Sequence, residues 1–175
     1  MRKAQMFLNP RALQQNLTLV QQLAPNSKVV AMVKANAYGH GIEWAARTLL
    51  ASPRPPEAFG VACLEEGQQL ESAGIRHPTL LVEGVFSSDE WKMLAGSHYH
   101  CAIHCEQQLH WALQHPTPVV PVWVKLNSGM NRLGFTADAT VEAIRHLCTA
   151  GYRVIVFSHF ANADQPEFSL NDRQW

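Results

Sequence analysis

The sequence predicts an α/β fold of parallel strands joined by crossover helices. Three observations carry that expectation: six short apolar runs recur along the chain, helical spacing follows each of them, and the first run shows no polar alternation, as expected of a strand buried on both faces. Successive parallel strands with right-handed crossovers leave two architectures, a doubly wound open sheet or a (β/α) barrel. No GxGxxG follows the first run, so the dinucleotide-binding open sheet loses its main support.

Taken in order, Asn9 and Pro10 fit an N-cap and a first helical position, and Leu13, Leu17 and Val20 recur at helical spacing until Pro25. KVVAMVK, residues 28–34, reads as the first strand. A helix with Ile42, Ala45, Ala46 and Leu49 on one face follows, and the proline-rich segment 52–57 leads to a second strand at Phe59 to Cys63. Leu64 to Ala73 reads as a helix ended by Gly74, TLLVE from Thr79 as the third strand, and Ser88 as the cap of the next helix. The fourth strand spans about His98 to His104, and Leu109, Ala112 and Leu113 mark the helix after it. VVPVWVKL from Val119 reads as the fifth strand, irregular at Pro121. A helix from Asp138 to Ala150, with Val141, Ile144, Leu147 and Cys148 facing inward, ends at Gly151 and feeds a sixth strand, RVIVFSH, at 153–159. The chain then closes in what reads as a loop.

Of 175 residues, 47% are hydrophobic and 16% charged, enough apolar material for a core. Fourteen basic residues balance fourteen acidic ones, which gives no field for nucleic acid or an anionic membrane and suits a small neutral or zwitterionic ligand. Asn9, Pro10 and Arg11 break the early apolar run before it could serve as a signal peptide, and no stretch approaches the roughly 18 apolar residues of a membrane span. A cytoplasmic location is the expectation. Cys63, Cys101, Cys105 and Cys148 form no CxxC pair and read as small apolar residues without a disulfide. The cluster HYHCAIHC, residues 98–105, sends His98, His100 and His104 to one side of a strand and Cys101 and Cys105 to the other, so no metal site is expected.

Ligands collect at the carboxyl ends of parallel strands, and the unusual residues lie there. MVKANAYGHG, residues 32–41, places Lys34 at the end of the first strand, followed by Tyr38 and two glycines. A lysine in a partly apolar mouth loses solvation of its charge and becomes a competent amine nucleophile for Schiff-base formation. Tyr38 offers a hydroxyl, and Gly39 and Gly41 would let backbone approach a phosphate near a helix N-terminus. A second constellation, VWVKLNSGMNRLGF at 122–135, again follows a buried strand, and His159 ends the sixth.

KANAYGHG resembles the pyridoxal-phosphate attachment motif of alanine racemases, and VWVKLNSGMNRLGF resembles that family's other strong signature. The resemblance covers essentially the whole chain and implies a (β/α)₈ TIM-type barrel, of which about six βα units are present and the family's C-terminal β domain is not. It implies that Lys34 carries pyridoxal 5'-phosphate and serves as one catalytic base, and that Tyr38 contacts the phosphate. Lys125 matches a lysine often carbamylated in the family, Arg132 the arginine that this charge orients near the cofactor's phenolic oxygen, and Met130 a residue whose backbone lies near the substrate carboxylate. His159 falls where a histidine packs beside the pyridine ring.

The implied reaction interconverts L- and D-alanine, supplying D-alanine for peptidoglycan, with a homodimer in the full-length protein. The second base, a partner subunit's tyrosine from the β domain, and the phosphate- and pyridine-binding residues of the last strands are expected outside these 175 residues, so the chain alone is expected to be inactive. A non-catalytic carrier of the cofactor is the alternative, since related single-domain barrels bind it without a β domain.

Overall fold

The computed structural model describes residues 4–175, and the chain divides into two compact units, Met1–Thr79 and Leu80–Trp175. In the first, Asn9 caps α1 (Pro10–Leu23) by accepting the Ala12 N–H at 3.1 Å, with Pro10 opening the helix. β1 (Val30–Met32) runs parallel to β2 (Ala58–Val61), with Val30 opposite Ala58 and Met32 opposite Gly60. Between them lie α2 (Lys34–Tyr38), a single turn, and α3 (Ile42–Leu50); α4 (Leu64–Ser72) follows β2. Phe59, Val61, Leu70, Ala46 and Val33 are fully buried and form this unit's core. Two glutamines fasten α1 over it: Gln14 donates to the Thr48 carbonyl and Gln21 to the Arg54 carbonyl, each at 3.0 Å.

After β3 (Thr79–Leu81) at the boundary, the second unit contains α5 (Ser88–Met93), β4 (Tyr99–Ile103), α6 (Glu106–Gln114), β5 (Val122–Lys125), α7 (Ala137–Thr149), β6 (Val154–Phe157) and α8 (Ser169–Gln174). β4, β5 and β6 pair in parallel and in chain order, with Ile103 opposite Val124 and Lys125 opposite Phe157. Within each unit the paired strands are consecutive in sequence, the order of a barrel wall rather than of a sheet with a switch point. Trp91 is the largest fully buried side chain; its indole N–H donates to the His115 carbonyl at 3.0 Å and its ring meets Tyr152 edge-on.

Inside the strand layer His100 accepts the Trp123 indole N–H on Nδ1 at 3.2 Å, and Trp123 packs edge-on against Phe157. Burial, with a smaller contribution from Arg153, lowers the His100 pKa below its ordinary value. The folded chain therefore resists a proton that the unfolded chain accepts, so stability is lost as pH falls through the ordinary histidine range near about 6.5, where protonation also removes the acceptor. The melting temperature should fall between pH 7.5 and 5.5, and His100→Asn, which keeps an acceptor without titrating, should shrink that fall. An equal fall in the variant would exclude this contribution.

Several boundaries differ from expectation for identifiable reasons. β1 ends at Met32 rather than Lys34 because the chain turns away after Val33. β2 stops at Val61, and Cys63 occupies the N-cap position of α4. β4 is one residue shorter at each end than 98–104, since the His104 N–H is taken by the Gln108 side chain at 2.9 Å. Ser87, not Ser88, caps α5, accepting the Glu90 N–H. β5 begins at Val122, and Val119 is 76% exposed. α7 buries Thr140, Ala143 and Leu147, whereas Val141 and Cys148 are exposed and Ile144 only half-buried. The chain's last residues form α8, not a loop. All four cysteines are free thiols.

Candidate active site

Lys34 leaves β1 half-buried and opens α2, whose backbone is wound left-handed: Ala35, Asn36, Ala37 and Tyr38 all have φ between 50° and 54°. For non-glycine residues that conformation costs about 1–2 kcal/mol each, so the turn persists only because its surroundings over-determine it. The Ala37 N–H donates to the Val33 carbonyl at 2.8 Å, Asn36 Oδ1 accepts the Ile42 N–H at 2.8 Å, and the Ala35 N–H donates to Glu66 Oε1 at 2.7 Å. Gly39 and Gly41, with φ of 85° and 97°, end the turn.

The glycines serve this winding rather than an anion. The N–H groups of Gly39, His40, Gly41 and Ile42 all donate within the turn, to Ala35, Asn36 and Ala37, which corrects the expectation that this backbone is open to a phosphate. Tyr38, 61% exposed, keeps its hydroxyl outside the core, and a Cβ at Gly39 would meet nothing within 4 Å. A half-buried amine at a strand's carboxyl end, with an exposed phenol four residues on, suits an aldehyde cofactor that carries a phosphate.

In the second unit the predicted residues lie on two successive strand-to-helix loops. Lys125 is the last residue of β5, 7% exposed, with Nζ 4.7 Å above the Phe157 ring centre. The loop after it returns on itself: the Asn127 N–H donates to the Phe135 carbonyl and the Phe135 N–H to the Lys125 carbonyl, both at 2.9 Å, while Asn127 Oδ1 accepts the Gly129 and Asn131 N–H groups. Met130, half-buried, and Arg132, exposed, sit on this loop, and His159, exposed, lies just beyond β6. The loops are stitched together. Ser158 donates to the Leu126 carbonyl at 2.9 Å, leaving the Ser128 hydroxyl to donate to Ser158 Oγ at 2.6 Å. Gln174 of α8 donates to Ser128 Oγ and to the His159 carbonyl, each at 2.9 Å, and accepts the Ala161 N–H at 3.0 Å.

Sequence reasoning missed Glu66, Asn36 and Gln174. Acidic residues in a helix's first turn and polar residues in loops are ordinary, so their residue types gave no signal. Burial pushes the Cys101 thiol far above its ordinary range and raises that of Cys63 as well, which disfavours a thiolate at both positions. Among the described residues no three His, Cys, Asp or Glu side chains group to hold a metal ion, and no helix is long and apolar enough to cross a membrane.

Residues 8–175 match the family described as alanine racemase, N-terminal domain. The chain is 42% identical over 179 residues to the alanine racemase of Psychrobacter sp. (strain PRwf-1), covering 99% of this chain and 47% of that protein. Against the solved alanine racemase of Acinetobacter baumannii the TM-score is 0.91 at 46% identity, over 99% of this chain and 49% of that one. The biosynthetic alanine racemase of Pseudomonas aeruginosa gives 0.86 at 33% identity, over 94% and 46%. The chain thus spans about half the length of the relatives it matches. Its fold is the N-terminal portion of a (β/α) barrel, and the chain belongs to the alanine racemase N-terminal domain family.

Proposed function

We propose that this chain supplies the cofactor-bearing half of a pyridoxal-phosphate-dependent alanine racemase. The observation that carries the reading is the placement of Lys34, a half-buried residue at the carboxyl end of β1 that opens a strained left-handed turn. When bound, the cofactor withdraws electrons from a substrate's amino-bearing carbon and makes its hydrogen acidic. Lys34 would hold the cofactor through its amine and would move a proton at one face of that carbon. Tyr38 would bind the phosphate through its hydroxyl. His159 would pack against the cofactor ring, Arg132 would hydrogen-bond its phenolic oxygen, and the Met130 backbone would orient the substrate carboxylate.

Lys125 has a further part in this reading. Its neutral amine adds carbon dioxide and releases a proton, and the carbamate anion pairs with the Arg132 guanidinium. Unmodified, the two cations would repel. The substrate is alanine, the product feeds peptidoglycan synthesis in the cytoplasm, and the working form is a homodimer.

Borohydride reduction of the holo protein followed by peptide mapping tests the assignment. A pyridoxyl group on Lys34 is expected; a group on another lysine, or none, overturns it.

A further inference from the structure

We propose that Glu66 is a positioning residue for Lys34, acting by ending the β1–β2 ladder and fixing the left-handed turn. The inference rests on the reading of Lys34 as the cofactor-bearing lysine. In the ladder Val33 donates to the Gly60 carbonyl at 2.8 Å, and the same spacing would next give Ala35 to Ala62. That bond is replaced. The Glu66 carboxylate enters between the two chains, Oε1 accepting the Ala35 N–H and Oε2 the Ala62 N–H, both at 2.7 Å. Each oxygen thus serves one strand end, and both bonds are short and charge-assisted.

The consequence falls on the residue between the ladder and the turn. Val33 is locked by its ladder bond and Ala35 by the carboxylate, so the Lys34 backbone is pinned on both sides and its amine leaves the strand in one direction. Ala35 has φ of 50° with a Cβ, so it needs that bond; a glycine would hold the same φ unaided. Glutamine is the informative replacement. Its amide keeps one acceptor and turns a donor toward the second N–H.

The test uses the holo protein and its Glu66→Gln variant, with cofactor affinity read by absorbance titration of the reconstituted apo protein and the adduct site read by borohydride mapping. Glu66→Gln should weaken cofactor binding about tenfold or more, the loss of one charge-assisted hydrogen bond. Adding Ala35→Gly to that variant should restore most of the affinity, which a general loss of packing would not allow. Unchanged affinity, or a lower melting temperature with unchanged affinity, overturns the inference, as does failure of Ala35→Gly to rescue. Should Glu66→Gln not fold, the unsubstituted protein still decides: the Ala35 amide, on an exposed residue, should be protected against hydrogen exchange, and exchange at the free-peptide rate overturns the clamp. An adduct on a lysine other than Lys34 removes the underlying reading and this inference with it, whereas an adduct on Lys34 unaltered by Glu66→Gln removes the inference alone.

Discussion

In the full-length homodimer, Lys34→Ala is expected to abolish covalent retention of pyridoxal phosphate and to reduce alanine racemisation by at least about 10³-fold, the scale of losing a nucleophile and a proton-transfer group together. The other described lysines offer no substitute. Lys28 and Lys92 are exposed and face Glu57 at 3.5 Å and Asp89 at 2.8 Å, and Lys125 is buried against Phe157. Lys34→Arg should fail as completely, because a guanidinium keeps the charge but does not deprotonate to a nucleophile. Lys28→Ala serves as the control and should behave as the parent. Racemisation within tenfold of the parent in Lys34→Ala would remove this side chain from the mechanism.

Gly134→Ala is expected to damage the second unit severely for so small a substitution. A Cβ there would lie 2.8 Å from the Lys125 carbonyl oxygen and 2.9 Å from the Asn127 nitrogen, both backbone, at a φ of +114°. Conformational strain and overpacking together should cost about 3 kcal/mol or more. The same change would open the loop that returns through Phe135 to Lys125, and with it the positions of Met130 and Arg132. Gly96→Ala isolates the strain component: its φ is +74° but a Cβ would meet nothing within 4 Å, so about 1 kcal/mol is expected. Urea unfolding midpoints of the two variants measure the difference, and equal midpoints would refute the steric argument.

The strands were legible because parallel strands leave continuous apolar runs, of which AFGV and TLL are buried throughout, whereas VAM and VIVF, expected to be covered on both faces, leave Met32 and Val156 exposed. Two motifs at strand ends located Lys34 and the 126–135 loop. The left-handed turn was not legible, since KANAY is a sequence of ordinary helical propensity and only tertiary bonds from Glu66 and Ile42 reverse its hand. The inner face of α7 was assigned to its larger apolar residues, whereas Thr140 and Ala143 carry it with Leu147; the Thr140 hydroxyl is satisfied by the Thr136 carbonyl at 2.8 Å, which lets a polar residue be buried there. α8 escaped notice because SLNDRQ is short and has no apolar stripe.

The bond from the Ala35 N–H to Glu66 spans 31 residues, so the hand of the turn is not decided locally. A nascent chain emerging as far as Tyr38 has nothing to hold that segment against its own preference, and the closure of a long loop must come first. On the reading of Lys34 as the cofactor-bearing lysine, its positioning therefore belongs to the assembled first unit, and arrives with the docking of that unit's last helix rather than with the synthesis of the lysine itself.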